Sequence, residues 1–385
     1  MSDPSRTAKR ARARRPPTMQ DVADAAGVAQ STVSRILNDA PVLIRVSEET
    51  RERVRAVAIE LGYRPHPFAR SLRGAPSMLL GAVVRDVTDP FFAGAIEVLS
   101  IEAKERGYSV VLGHARAKAD EALALTAVLE ARQCDAIVLL GDLRDQPRLV
   151  EDLRKSQVRV VALWHGSSER SHEFPTVSVD NAAGIRDLLT HLTLLGHRRI
   201  AFVGPDSLGD IRERQAAYEA YLHAARIEVP AGYIRHVPNG IAGGELAFSA
   251  LLDLPQRPTA ILAATDIIAM GLIHAAYESG VSVPAELSIV GFDDIAIAAA
   301  AVPSLTTVKM PMSKIVSAGV ELAVGDGTWS PGATQEPPRL IFKPKLIVRR
   351  STAAPSGRGP KRPSRRPDMR DDPAAHAVSV DPGGD

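Results

Sequence analysis

Near the start of the chain, apolar residues recur at intervals of three and four in three short segments. The first opens with a capping box, Thr18–Asp21, and ends at Gly27, and the second follows almost at once. The apolar stripe of the second segment comprises Val33, Ile36 and Leu37. The third segment begins at Ser47 and ends at Gly62. The pattern predicts three short helices, the first two joined by a tight glycine turn.

A different pattern starts at Met78, where short apolar runs alternate with amphipathic stretches. The runs are LLGAVV, YSVVLG, DAIVLL, VRVVALW, TVSV, RIAFVG, TAILAA and LSIVGF. Continuous apolar runs are typical of strands buried on both faces, and their alternation with helices predicts parallel sheets. About 230 residues of this pattern are more than one sheet usually holds, so two α/β subdomains are expected.

The segment between these two regions, residues 64–76, is bounded by prolines and is interpreted as a linker. Pro67 is placed to start a short helix, which is too short to be stable alone in water and should fold only on binding. The predicted organisation is a disordered arm (1–17), a helical domain (18–63), the linker (64–76), the α/β body (77–352) and a disordered tail (353–385).

Charge is distributed unevenly along these regions. Residues 1–73 carry 14 Lys/Arg against 8 Asp/Glu, whereas residues 74–348 carry 25 against 32. A basic front end favours a polyanion partner, because Lys and Arg displace counterions from phosphates. A basic tail without a partner is the alternative that charge alone leaves open.

Composition and motifs exclude several classes of protein. The single cysteine, Cys134, permits neither an internal disulfide nor a cysteine metal cluster. The chain start lacks a signal peptide and no apolar run is long enough to span a membrane, so we expect a cytoplasmic protein with no membrane partner. There is no P-loop, GxSxG or HExxH motif, and the histidines lack the spacing of a metal site. We therefore expect neither an enzyme nor a bound cofactor or metal.

The second helix presents polar side chains on the face opposite its apolar stripe. The residues expected to face away from the core are Gln30, Ser31, Ser34, Arg35 and Asn38. Gln and Arg both pair bidentately with base edges in the major groove, so this helix-turn-helix is a candidate reader of double-stranded DNA. The corner of an ordinary helical bundle is the alternative.

These residues carry a family resemblance. MQDVADAAGVAQSTVSRILN and SEETRERVRAVAIELGYRPHPFARSLR, followed by DVTDPFFAGAIE, RERQAAY, TDIIAMG and LSIVGFDD, resemble the lactose-repressor (LacI) family of bacterial transcription regulators over about residues 18–352. The resemblance implies an all-α helix-turn-helix headpiece with a hinge helix, followed by a periplasmic-binding-protein-like α/β body of two parallel-sheet subdomains. It also implies a homodimer on a near-palindromic operator.

The resemblance assigns roles on the DNA side. Gln30, Ser31 and Arg35 would read bases, with Ser34 and Asn38 in support, while Thr18 and Thr32 would hold the phosphate backbone. The residues of the hinge expected in the minor groove are Ala69, Arg70 and Leu72, where Leu72 matches an apolar wedge between base pairs.

The resemblance also implies a small effector, carbohydrate-like in class, between the subdomains. The residues expected to contact it are Phe91, Phe92, Trp164, Arg212, Thr265 and Asp293. Arg212 matches an anchoring arginine, whereas Thr265, Trp164 and Asn239 depart from the family's usual residues. Trp164 would either stack on the ligand or narrow the cleft.

We expect an allosterically controlled regulator that represses by occupying its operator. Whether the effector releases or strengthens DNA binding stays open. A solute-binding protein with no DNA role, and a regulator that needs no effector, are the alternatives.

Overall fold

A computed structural model describes residues 17–37, 46–63, 76–116, 118–142, 156, 158–164, 174–325 and 336–356. It divides into two compact units, Met1–Ser77 and Met78–Asp385. The predicted linker helix at 64–75 and most of the predicted arm and tail lie outside the described residues.

The described part of the first unit contains three helices. They are α1 (Met19–Ala26), α2 (Gln30–Leu37) and α3 (Glu48–Glu60). The predicted capping box forms, because the Asp21 carboxylate accepts from the Thr18 N–H at 2.7 Å and the Asp21 N–H donates back to the Thr18 hydroxyl. Gly27 ends α1 with a left-handed φ of 67°, which lets α2 begin within three residues. The helices pack around a small apolar core of Val22, Val33, Ile36, Val54 and Ala58.

The second unit is built on two parallel sheets. The six-stranded sheet has the order β11-β5-β4-β3-β1-β2, formed by β1 (Leu79–Val84), β2 (Ser109–His114), β3 (Ala136–Leu140), β4 (Arg159–Leu163), β5 (Thr176–Val179) and β11 (Arg339–Phe342). The four-stranded sheet has the order β7-β6-β8-β9, formed by β6 (Ile200–Gly204), β7 (Ile234–His236), β8 (Ala260–Ala263) and β9 (Ser288–Val290). Both sheets have fully buried central strands, as expected for parallel sheets covered by helices.

Eight helices accompany these strands within the described ranges. They are α4 (Pro90–Glu105), α5 (Ala119–Ala131), α6 (Asn181–Leu194), α7 (Gly209–Ala224), α8 (Ile241–Leu252), α9 (Asp266–Glu278), α10 (Ala296–Ala300) and α11 (Met312–Val324). None of the helices that the structure describes is long and apolar enough to cross a membrane.

The chain passes between the two sheets three times. It leaves the larger sheet after β5, returns through β10 (Thr307–Lys309), and leaves again after β11 through β12 (Lys345–Ile347). β10 and β12 pair antiparallel where they cross. Each half is therefore assembled from segments that are distant in sequence.

The predicted α/β body of two parallel-sheet subdomains is confirmed, and each of the eight apolar runs contains a strand. The apolar runs did not predict four further strands. Three of these, β7, β10 and β12, have only three residues each, and β11 is largely exposed. The body also extends beyond the expected boundary at 352. The Ala353 N–H donates to the Ser288 hydroxyl at 3.1 Å, and its carbonyl oxygen lies 2.8 Å from His197 Nε2.

Candidate functional site

The polar face of α2 is the candidate DNA-reading surface of the first unit. Gln30, Ser31 and Arg35 are exposed there, and Thr32 is partly exposed, while the apolar side of the helix is buried against α1 and α3. Thr18 is exposed at the start of α1, although its hydroxyl and N–H both bond Asp21. This arrangement leaves an amide and a guanidinium directed away from the core on one short helix.

Ser34 corrects one expectation, because it is buried with only 5% of its surface exposed. Successive residues on a helix are about 100° apart, so Ser34 lies beside Val33 at the edge of the buried face. A small hydroxyl there is covered by the packing around Val33 and Ile36. Asn38, Ala69, Arg70 and Leu72 lie outside the described residues.

In the second unit, residues from both halves meet at the carboxyl ends of the strands, where open parallel sheets bind ligands. One cavity is lined by five of the predicted effector residues, Phe91, Phe92, Trp164, Thr265 and Asp293. The same cavity is also lined by Arg85, Asp89, Gly141, Asp210, Arg214 and Met310. The space open to water inside it is about 10 Å³, close to the minimum for a single water molecule. A sugar-sized molecule enters only if the two halves separate.

Of the two arginines in RERQAAY, Arg214 lines this cavity and the predicted Arg212 does not. Arg212 is exposed, and its Nη1 donates to the Asp206 carbonyl at 3.1 Å. Arg214 is 1% exposed because it lies on the buried stripe of α7. That stripe comprises Ile211, Arg214, Tyr218 and Leu222. The spacing of three and four along RERQAAY was the signal that distinguishes the two arginines.

Arg214 is held by groups from several elements. Its Nε donates to Asn181 Oδ1 at 2.9 Å, and its Nη1 donates to the Ala264 carbonyl at 2.5 Å. The same Nη1 lies 3.4 Å from Asp293 Oδ1, and the guanidinium stacks 3.8 Å from the centre of the Phe292 ring. The cleft therefore contains a rigidly placed cation with a carboxylate beside it.

Carboxyl groups crowd this part of the cleft. Burial raises the pKa of Asp293 well above its usual value, with Arg214 acting in the opposite direction and Asp266 adding to the rise. Burial likewise raises the pKa of Asp89. Asp293 adopts a φ of 120°, a strained conformation for a residue other than glycine, which is consistent with a functional position.

A hydrogen-bonded chain crosses between the two halves. The Asn239 amide donates to Asp89 Oδ2 at 2.9 Å and accepts from the Thr265 hydroxyl at 2.8 Å. A second crossing contact joins Arg85 Nη1 to Asp210 Oδ1 at 3.5 Å. The two unusual residues, Thr265 and Asn239, thus form a single connected unit with Asp89.

Aromatic rings form the remaining wall. Phe91 and Trp164 pack in a T-shaped contact with centroids 4.9 Å apart, and Arg85 lies 5.0 Å above the Phe92 ring. Trp164 is 2% exposed and has a left-handed φ of 57°. Sequence reasoning missed Arg85 and Asp210, which lie in none of the quoted motifs. It also missed Asp89, which lies within DVTDPFFAGAIE but was not singled out there. Within the described residues, no cluster of His, Cys, Asp or Glu is arranged to hold a metal ion.

Comparison with known proteins identifies both units. Residues 18–66 match the family described as bacterial regulatory proteins, lacI family, and residues 189–352 match a periplasmic binding protein-like domain. The HTH-type transcriptional repressor CytR of Escherichia coli (strain K12) is 33% identical over 299 residues, covering 77% of this chain and 86% of CytR. The chain belongs to the LacI family.

Other LacI-family proteins are similar over nearly their whole length. GalS, a transcriptional regulator of Salmonella typhimurium, is 32% identical over 87% of this chain and 96% of its own. The lac repressor dimer bound to operator and an anti-inducer superposes with a TM-score of 0.76 at 28% identity, covering 88% of this chain and all of that one. The CelR–cellobiose complex gives 0.63 at 30% identity, covering 87% and 99%. This LacI-family chain is an effector-controlled, DNA-binding transcriptional regulator and not an enzyme.

Proposed function

We propose that this LacI-family regulator acts in the cytoplasm as a homodimeric repressor of a near-palindromic operator, with a small carbohydrate-like effector in the cleft. The observation that carries the effector part is the convergence of five predicted residues with Arg214 at the carboxyl ends of two sheets. The lac repressor dimer bound to operator and the cellobiose complex of CelR support the choice of partners.

On the DNA side, α2 enters the major groove with its exposed face towards the bases. Gln30, Ser31 and Arg35 read base edges with support from Asn38, and Thr18 and Thr32 hold phosphates. The hinge residues Ala69, Arg70 and Leu72 enter the minor groove between the two half-sites. We keep the domain boundaries of the sequence analysis as part of this proposal and extend the body to residues 353–356, because Ala353 bonds Ser288 and His197.

On the effector side, Phe91, Phe92, Trp164, Thr265 and Asp293 contact the ligand. Arg214 takes the anchoring role that the sequence had assigned to Arg212. Closing or opening of the cleft changes the relative orientation of the two halves, and through them the ability of a dimer's headpieces to occupy both half-sites.

Arg35 provides the sharpest test of DNA reading. A bidentate arginine contact contributes about 1–3 kcal/mol of base discrimination, so Arg35→Ala should weaken binding to the selected operator by roughly 5- to 150-fold. Its effect on unrelated DNA should be small. The measurement is fluorescence anisotropy of operator and scrambled duplexes at several salt concentrations, after operator selection from a random library.

Arg55→Ala is the matched control, because Arg55 is an exposed arginine on α3 outside the polar face of α2. It removes the same charge and should lower operator and scrambled affinity equally. Equal losses in the two variants would show that Arg35 supplies charge only. A wild-type protein without salt-dependent DNA affinity would favour a solute-binding protein instead.

A further inference from the structure

Three buried polar atoms in the cleft have no hydrogen-bond partner among the described residues. They are Arg85 Nη1, Asp210 Oδ1 and Trp164 Nε1, and all three residues line the same cavity. Buried polar groups in proteins nearly always have a partner, because an unpaired one costs about 1–3 kcal/mol. Two donors and one acceptor therefore face a site where a bound molecule would satisfy them.

The Arg85–Asp210 contact is an ion pair without hydrogen-bond geometry. The two atoms are 3.5 Å apart, and both side chains are at least nine-tenths buried. They belong to opposite halves of the body, Arg85 following β1 and Asp210 lying in the first turn of α7. A hydroxyl placed between them would accept from the guanidinium and donate to the carboxylate, which pairs both atoms at once.

The charges around this gap disfavour an anion. Arg214 already faces Asp210 and Asp293 and donates to protein oxygens, so its positive charge is compensated. Arg85 faces Asp210, and Asp89 adds a third carboxyl to the lining. A neighbouring space of about 510 Å³, which shares Arg85 with this cavity, is lined by two more acidic residues, Asp86 and Asp206, and by His236. A phosphate or carboxylate oxygen has no proton to donate to Asp210 Oδ1. It would also enter a lining with three carboxyl groups, Asp89, Asp210 and Asp293, beside two arginines.

We propose that the cleft is selective for an uncharged, hydroxyl-bearing effector and rejects its phosphorylated or carboxylated counterpart. A ligand oxygen accepts from Trp164 Nε1, and a ligand hydroxyl bridges Arg85 and Asp210. Arg85, Asp210 and Trp164 are then specificity-determining residues. This inference rests on the effector role proposed above and narrows its chemistry.

The test compares matched neutral and anionic compounds on the full chain. The pairs are glucose with glucose 6-phosphate, glucose with glucuronate, ribose with ribose 5-phosphate, and uridine with uridine 5′-monophosphate; cellobiose is added as a neutral disaccharide. Thermal shift finds the compounds that bind, and isothermal titration gives their affinities. In any pair that binds, the neutral member should bind at least about tenfold more tightly, the equivalent of one buried charge interaction.

Two variants test the named groups. Trp164→Phe keeps an aromatic ring but removes the N–H, and should weaken the neutral ligand about three- to tenfold. Asp210→Asn should narrow the ratio between neutral and anionic affinities by about tenfold. Tyr221→Phe is the matched control for Trp164→Phe, because its hydroxyl bonds Thr190 and Thr193 outside the cavity. It should leave ligand affinity unchanged.

Equal or tighter binding of a phosphorylated member would overturn the proposal, as would wild-type affinity in Trp164→Phe. Operator binding is measured on the same preparations, so that the proposed repressor function and the proposed effector selectivity are tested independently. Absence of specific operator binding in the wild-type chain would refute the proposed function as a DNA-binding repressor. A preference for anions beside intact operator binding would refute only the charge selectivity.

Discussion

At the scale of single residues, Arg214 binds protein groups with each of its three guanidinium nitrogens. Nε bonds Asn181, Nη1 bonds Ala264 and approaches Asp293, and Nη2 lies 3.8 Å from Asp210. Its charge is thus part of the folded structure as well as of the cleft. A group with both roles should affect stability when it is removed, not ligand affinity alone.

Arg214→Ala leaves Asp293 buried without its cation and Asp210 with Arg85 alone, so we expect the free energy of unfolding to fall by about 3–5 kcal/mol. Arg212→Ala is the control, since Arg212 is exposed and its loss should change that free energy by less than about 0.5 kcal/mol. Urea unfolding followed by tryptophan fluorescence measures both, because Trp164 is buried in the second unit. Similar losses in the two variants would contradict the assignment of Arg214 to the cleft.

At the residue scale, a motif that fixes both a residue and its strand end allowed the sequence to predict which side chains lie close together. Phe91, Phe92 and Asp293 are of this kind, and the cavity brings them together. The prediction chose Arg212 where the structure places Arg214, because the carboxylates that pair with a buried arginine are remote in sequence. The predicted exposure of Ser34 was wrong for a simpler reason. Helical periodicity locates the edge of a helix face only to within about one residue.

At the scale of elements, Asp266 ties three of them together. It is the first residue of α9 and is completely buried. Its carboxylate accepts from the Thr307 hydroxyl of β10 at 2.5 Å and from the Ile295 N–H at 3.0 Å. The loop that carries Asp293 is therefore attached both to α9 and to a crossing strand.

Burial raises the pKa of Asp266 from 3.8 to about 6. The folded state then binds this proton more tightly than the unfolded state. The stabilisation is complete below pH 3.8 and is lost as the pH rises through about 6. From this group alone, the free energy of unfolding should increase by about 1 kcal/mol between pH 7 and pH 5.

Asp266→Asn removes the titration while keeping an oxygen acceptor. Its unfolding free energy, measured in urea at pH 5, 6 and 7, should therefore change less with pH than that of the wild-type chain. Asp293, whose pKa is also raised, is present in both proteins. Parallel pH profiles for the two proteins would rule out the Asp266 titration.

Elements with long apolar runs could be predicted from the sequence, whereas the short crossing strands could not. β10 and β12 consist of TVK and KLI, and a three-residue segment has too little periodicity to separate a strand from a loop. Their pairing depends on the folding of both halves around them.

At the scale of the whole molecule, operator and effector affinities must be linked. If an effector changes operator affinity by some factor, the operator changes effector affinity by the same factor. Effector titrations with and without saturating operator should therefore yield this factor, typically about 5- to 150-fold. Equal effector affinity in both titrations would refute allosteric control and favour the effector-independent alternative.

The division into a basic helical front end and an acidic α/β body was visible in charge and periodicity. The residues that we propose select the effector were not, because they lie after β1, in α7 and after β4, which no local pattern connects. Their juxtaposition follows only from the two sheets facing each other at their strand ends.

The three crossing segments are fastened to one another. β10 pairs with β12, and the Asp180 N–H, which follows β5, donates to the Phe342 carbonyl at 2.9 Å. Because the three crossing segments are bonded to one another, they form a single hinge. The halves can rotate about this hinge but slide along it very little. Substitutions in these crossing segments should change the coupling between the effector site and the DNA-binding surface. They should leave the intrinsic affinity for either ligand unchanged. The strength of the coupling and the two binding affinities can then be changed independently, by substitutions at different positions in the chain.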